Sequence, residues 1–509
     1  MKKPFSKIIS VALSAIVLSA CTTIQPAPFE NDSLFKQGLA DRAAAAQQAE
    51  PVGETVTLEI AMARALKYNL DRRAKMMEEA LAFKQLDVSH FDMLPKLLAQ
   101  AGYNWRNNDK ISMSRNSETG QLSESQFVSQ EREHEPASLT LTWNILDLGL
   151  GYYNTKQQAD RVLIAGERRR KAMHLLMQDV RTAFWRSYSA QKLRGEVRVV
   201  IGMAEEALTD ARQVETERLR NPLDSLRYQR QVLENLRLLE AIDQELSTAQ
   251  VELAALINAP LGQPLTLVAP QESVNREALA VPVEVMEEAA MTANADLREQ
   301  HYNARIAREE TRKTLIKLFP NLTFNYGYNY DTDNYLLNHN WREASVQLSF
   351  NLFNLFTGPT QMKLAEAGVA LADQRRIAMQ MAVMAQVHLA RQQYSNALSQ
   401  FNRADAIWQT DRRIAEHMKN RESAQTQSKL DSVANQTTAI LSLLRRFQAL
   451  ALAQAGEAKL EATLGIEPQI GSVDEVTLAD LTRDISQGSL TWRQLTSRAE
   501  AATLVEVKQ

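Results

Sequence analysis

Apolar positions along the chain follow two periods. Leu430, Val433, Thr437, Ile440, Leu444, Phe447 and Ala451 recur at alternating steps of three and four, as do Leu239, Ile242, Leu246, Ala249, Leu253 and Leu256. That spacing predicts helices with coiled-coil seams. Four segments keep period two instead, at about 97–105, 137–146, 321–330 and 344–352. Ala137, Leu139, Leu141, Trp143 and Ile145 alternate with Ser138, Thr140, Thr142 and Asn144. Leu322, Phe324, Tyr326, Tyr328 and Tyr330 alternate with Thr323, Asn325, Gly327 and Asn329. Ala344, Val346, Leu348, Phe350 and Leu352 do so with Ser345, Gln347, Ser349 and Asn351, while the first segment is less clean, with Leu98 on its polar side. These are strands with one apolar and one polar face. The polar faces carry almost no charge, and Trp105, Trp143, Phe324, Tyr326, Tyr328 and Phe350 make the apolar faces aromatic. Lipid outside and a lumen inside would produce this pattern, at the ~9–11 residues of a membrane-spanning strand. A soluble sheet over a core produces it too, but here each strand pair stands between very long helical segments. Four strands cannot close around a lumen, and lipid forbids an open edge, so a barrel must be shared between chains; three copies of four strands give twelve.

Composition sharpens the picture of long elements. The 509 residues include only 17 Gly and 14 Pro, about half the usual combined share. Intervals 137–221, 223–259, 283–319 and 360–467 hold no proline and are rich in strong helix formers; a proline inside a helix costs about 3 kcal/mol. Residues 147–220 alone predict a helix roughly 110 Å long.

The chain is also written twice. LTWNILD at 141–147 answers LSFNLFN at 348–354, 180–190 answers 387–397, and NPLD at 221–224 answers SKLD at 428–431, all at an offset of 207. LPKL at 94–97 answers FPNL at 319–322 at an offset of 225. The polar stretch 106–136 has 31 residues and its counterpart 331–343 has 13, which accounts for the change of offset. A duplicated architecture follows, mainly α with β. Its divisions are 21–54 as an N-terminal linker, 55–268 and 281–468 as two structural repeats, and 469–509 as a C-terminal tail.

Residues 1–20 read as a signal peptide: Lys2, Lys3 and Lys7, then an apolar run at 8–18 too short to span a bilayer. Leu18-Ser19-Ala20-Cys21 resembles the bacterial lipoprotein cleavage box, and Cys21 is the single cysteine. The resemblance implies lipidation of Cys21, and Thr22 in place of an inner-membrane retention Asp implies the outer membrane of a Gram-negative cell. The alternative is an incidental cysteine beside an ordinary signal peptide. The 58 Lys+Arg against 61 Asp+Glu leave a net charge of −3, with no basic surplus for nucleic acid.

A duplicated, exported chain with two strand pairs and long helical hairpins resembles the TolC-type outer-membrane factors. The resemblance covers roughly residues 55–468. It implies a homotrimer, with a 12-stranded transmembrane β-barrel above a periplasmic α-barrel. It also implies a periplasmic adaptor (membrane fusion protein) and an inner-membrane transporter as partners, serving type I protein or adhesin secretion or multidrug efflux. KLDSVANQTT at 429–438 is similar to the family segment after the second hairpin tip, where an acidic ring helps close the periplasmic aperture. Asp431 matches its first acid and Asp224 is the repeat counterpart; the second acid falls on Ala434. TTIQPAP at 22–28 departs from the Gly-Pro-Asp-Tyr-like run of many members serving drug pumps.

Asp224 and Asp431 also sit where a capping carboxylate would, three residues after Asn221 and Ser428, with Pro222 at the favoured first helical position. Both readings stay open. Arg218, Arg220, Asn221, Pro222, Lys419 and Arg421 form the two hairpin tips, as adaptor contacts or as solvated helix ends. Chemistry has little foothold. Gly149 and Gly151 are a fragment of a nucleotide fingerprint whose third position is Asn154, Ser189 and Lys192 lie inside a helix, and the seven His form no close metal-ligand pair. No cofactor is expected. The competing reading from another class is a lipid-anchored periplasmic coiled-coil scaffold without a pore.

Overall fold

A computed structural model describes residues 27–217, 222–269, 274, 276–423, 429–466, 473 and 475–486. The chain divides into two units, Met1–Pro51 and Val52–Gln509. In the first, helix α1 (Asn31–Gln47) buries none of its side chains. The signal segment and Cys21 lie outside the described residues.

The second unit repeats element by element. Its first half runs β1 (Val56–Thr57), α2 (Leu58–Tyr68), α3 (Leu70–Ser89), β2 (Lys96–Ala101), β3 (Asn104–Trp105), β4 (Ile111–Arg115), β5 (Leu122–Val128), β6 (Glu133–His134), β7 (Pro136–Asn144), α4 (Ile145–Thr216), α5 (Pro222–Leu256) and β8 (Leu267–Val268). The second runs α6 (Glu277–Ala280), α7 (Val283–Ala293), α8 (Ala295–Lys317), β9 (Asn321–Asp331), β10 (Asn340–Ser349), α9 (Asn354–Ser423) and α10 (Lys429–Leu464), followed by α11 (Leu478–Ser486). α2 and α3 reappear as α7 and α8 at the offset of 225, and α4 and α5 as α9 and α10 at 207, to within three residues. α4 has 72 residues and α9 has 70, each about 105 Å long at 1.5 Å per residue.

Local chemistry fixes the ends. Asn144 caps α4, its side-chain oxygen accepting from the amides of Leu146 (2.9 Å) and Asp147 (3.1 Å). The strand expected over 137–146 therefore stops at Asn144, and Ile145 opens the helix instead of ending the alternation. The strand expected over 344–352 runs from Asn340 to Ser349, so Phe350 lies just past it and is half-buried.

Four strands form one antiparallel sheet in the order β10-β9-β7-β2. Register puts like against like: Leu141 faces Tyr326, Trp143 faces Phe324, Thr142 faces Asn325, and Val346 faces Phe324.

The helices pack in the same order as the strands they adjoin. α4 lies between α3 with α5 on one side and α8 with α10 on the other, and α9 packs on α8 and α10. The coiled-coil seams are buried: Val433, Thr437, Ile440, Leu444, Phe447 and Ala451 in α10, and Leu239, Ile242, Ala249 and Leu253 in α5. The core is densest midway, where Phe184, Trp185 and Tyr188 of α4 meet Phe447 of α10. α11 packs on α2, with Leu481 fully buried. Burying one such large apolar side chain stabilises by about 1.5–3 kcal/mol.

Candidate functional site

The sheet is the first candidate surface. Its apolar face carries Leu97 and Ala99 of β2, Leu139, Leu141 and Trp143 of β7, Phe324, Tyr326, Tyr328 and Tyr330 of β9, and Val346 and Leu348 of β10, with Arg342 opposite Tyr328 as a cation at the strand end away from the helices. These large side chains stand in the open, up to 70% exposed at Leu348. A soluble sheet would bury this face; an uncovered aromatic sheet of this size marks an interaction with something apolar. Phe91, Leu94, Phe319 and Phe356 extend it at the helix end of the strands, all exposed, in the manner of an aromatic girdle.

The opposite face is held by uncharged hydrogen bonds. The Thr142 hydroxyl donates to the Asn325 side-chain oxygen (2.9 Å), and the Asn325 amide donates to the Ser345 hydroxyl (3.4 Å), a ladder across three strands. Lys96 enters the sheet paired with Asp147 at 3.1 Å.

Trp105, expected in the strand 97–105, stands in β3, separated from β2 at Gly102 and Tyr103 but in the same register: Ala101 opposite Ala137, Asn104 opposite His134. The polar stretch 106–136 continues this hairpin, with β4 pairing β5. Sequence reasoning missed the extension because serine, glutamine and charged residues fill it and no apolar face marks its period.

The second candidate is the far end of the helical hairpins. α4 ends at Thr216 and α5 starts at Pro222; α9 ends at Ser423 and α10 starts at Lys429. Arg218, Arg220 and Asn221 lie outside the described residues, as does Ser428. Lys419 and Arg421 are exposed in the last turns of α9, where a cation complements the helix dipole. Asp224 and Asp431 occupy the same place, third in α5 and in α10. Asp224 is 65% exposed, with Arg227 at 3.8 Å, and Asp431 is half-buried. Beside them Ser225 and Ser432 are buried, so the seam is polar where it nears the tip.

The glycine pair offers close packing. Gly151 passes against the Asp92 backbone and Gly149 against Ile316. Among the described residues no group of three His, Cys, Asp or Glu is placed to hold a metal ion, and no helix is long and apolar enough to cross a membrane.

A further surface was not singled out from the sequence. Leu364, Gly368, Leu371, Arg375, Ala378, Ala382, Ala385 and Leu389 follow alternating steps of four and three along α9, and all are exposed. The same scan that found the other seams would have found this one; its small residues hid it. It runs on the side of α9 away from α8 and α10.

No family model matches the sequence, and no curated protein does. Solved structures do match in shape. The CmeC outer membrane channel of Campylobacter jejuni is 12% identical with a TM-score of 0.61, covering 92% of this chain and 98% of its own. The MtrE outer membrane channel of Neisseria gonorrhoeae, in its open state, is 14% identical with a TM-score of 0.59, over 81% and 89%. The outer membrane protein VceC of Vibrio cholerae is 13% identical with a TM-score of 0.56, over 81% and 97%. The fold of this chain is that of the TolC-type outer-membrane factors.

Proposed function

We propose that the protein is the outer-membrane duct of a tripartite export system, a passive homotrimer opened by a periplasmic adaptor and driven by an inner-membrane transporter. One observation carries the reading. Strands and helices share one lateral order, β2-β7-β9-β10 and α3-α4-α8-α9, and both series end open, at β2 with α3 on one side and at β10 with α9 on the other. An open edge has no place in lipid. Repeating the unit laterally pairs β10 of one copy with β2 of the next and lays the α9 seam on the neighbouring α3, whose Leu70, Met77, Leu81 and Val88 are likewise exposed at helical spacing. The polar face, charged only at Lys96, Asp331 and Glu343, then lines the lumen and the aromatic face meets lipid. Outer-membrane location fits this surface and the N-terminal signal, with Cys21 as its lipid anchor. The cargo is a secreted protein or a drug, and the transporter encoded beside the gene distinguishes them: an ABC transporter with a large repetitive secreted protein, or a proton-driven pump.

Planar-bilayer conductance of the protein extracted from outer membranes tests the duct. Discrete, cation-preferring steps are expected, because carboxylates at a narrow entrance favour cations. D224A combined with D431A should raise leakage through the resting channel; unchanged flow through an intact trimer would reduce both residues to helix caps. A bilayer that stays silent even for a variant lacking both hairpin tips would overturn the duct in favour of the coiled-coil scaffold.

A further inference from the structure

The hairpin beyond the sheet is longer in the first repeat by the 18 residues that separate the two offsets, and its root is built. His134 is only 6% exposed and Asp333 only 4%. The His134 Nδ1 lies 2.8 and 3.0 Å from the two carboxylate oxygens of Asp331. Its Nε2 faces amide nitrogens, Gln130 at 2.9 Å and Asn104 at 3.2 Å. The Nδ1 thus meets a carboxylate, to which an Nδ1–H can donate, while the Nε2 is enclosed by two side-chain amides. The Asp333 carboxylate accepts from the backbone amides of Glu131 (3.2 Å) and Tyr335 (3.1 Å). The Glu135 amide donates to the Thr332 hydroxyl at 2.8 Å, and the Asn334 side chain donates to Glu131 at 2.6 Å. These bonds tie residues 130–135 of the first repeat to 331–335 of the second. Just beyond them Arg132 pairs with Asp109 at 2.6 Å, and the hydrogen bond from this guanidinium holds the Asp109 carboxyl below its usual range.

We infer that this knot is a catch, fastening the long hairpin of the first repeat to the short loop of the second so that the hairpin keeps a fixed attitude at the outer mouth of the barrel. The two loops lie about 200 residues apart in sequence, and neither is held there by an apolar core. A two-stranded hairpin alone is marginally stable in water, so its direction depends on what grips its root. Buried carboxylate and imidazole groups that each take a partner from both repeats make the grip cooperative: removing one leaves a partner on the other side unpaired in a poorly solvated place. Release of the catch would free the hairpin as one body, hinged at Gly102–Tyr103 and Glu135, where both strands break and one backbone bond, Gly102 amide to Pro136 carbonyl (2.8 Å), spans the gap.

The inference rests on the duct reading only for which side of the membrane the hairpin occupies, so the first test uses purified trimer in detergent. Limited trypsin digestion compares cleavage at Arg106 and Arg132, at the root, with Arg115 in β4. In H134A or D333A root cleavage should rise about tenfold relative to Arg115, the scale of a lost buried hydrogen bond to a charged group, while the heat stability of the trimer stays unchanged. T332V, which removes a bond at the exposed rim, should shift cleavage in the same direction by less, and it keeps the test decisive should H134A not fold. Equal root cleavage in all variants overturns the catch. In bilayers the released variants should show excess open-channel noise. Raised cleavage with unaltered noise would overturn the hairpin's place at the mouth, whereas loss of conductance in the parent protein would fault the duct reading.

Discussion

Asn69 and Asn294 perform one task in the two halves. Each caps a helix, accepting from the amide of Arg72 (3.0 Å) or Leu297 (3.1 Å). Each also turns its own amide to the last turn of the returning hairpin helix, donating to the carbonyl of Leu256 (3.1 Å) or Thr463 (2.9 Å). The residues two further along in those turns both take positive φ, Asn258 at 50° and Gly465 at 70°. Here the halves differ. At Gly465 a Cβ would be driven into the Ala293 carbonyl, so only glycine fits, while Asn258 keeps its side chain. N294A removes a cap and a buried hydrogen bond, about 2 kcal/mol together. Hydrogen exchange at the Leu297 amide should accelerate about 30-fold; N294D, which keeps the capping oxygen, should recover part of that protection. G465A should prevent assembly outright, whereas N258G should assemble normally. The repeat offset of 225 pairs Asn69 with Asn294, each two residues before an Asp, but their second bond is not legible there, because it reaches carbonyls about 170 to 190 residues away.

Among the elements, what was legible depended on whether a period existed to be read. The strands around Leu141 and Tyr326 and the seam from Val433 to Ala451 announced themselves, since each repeats one choice many times. Their limits did not. A single capping oxygen at Asn144 overrides the alternation at Ile145, β10 begins among Trp341, Arg342 and Glu343 where no apolar pattern starts, and Phe350 falls past its end. Asp224 stands third in α5, and a carboxylate there has the same sequence signature whether it caps or gates. The alternation makes a sharp prediction for β7. L141R puts a cation on the aromatic face and should cost about 2–4 kcal/mol if that face meets lipid, seen as a large fall in heat-resistant trimer recovered from outer membranes. T140R, one residue away on the polar face, should assemble normally and reduce the cation preference of the channel. Equal tolerance of both would mean that neither face meets lipid, as the scaffold reading requires.

At the level of the whole molecule, the duplicated halves are related by the same lateral step that would relate separate copies. Within the chain, β7 of the first half pairs β9 of the second, and α4 packs on α8 and α10. β10 and α9 stand in the second half where β7 and α4 stand in the first, yet they have no third half to meet. The seam on α9 is what that missing partner should cover. Seven of its eight positions are Ala, Gly or Leu and only Arg375 is charged; the four that are Ala or Gly let helix backbones approach closely, as a tube wall requires. Leaving this stripe in water gains nothing, and placing carboxylates in it would desolvate charge without a partner. L364E combined with L389E should therefore raise the monomer fraction at least about tenfold in detergent, measured by light scattering on a sizing column, since each buried unpaired charge costs several kcal/mol. Q374E adds the same charge about a quarter-turn round the helix and should leave the oligomer intact. If the doubly substituted chain remained trimeric, the seam would face water or the lumen, and closure would have to rest on the strand edges alone.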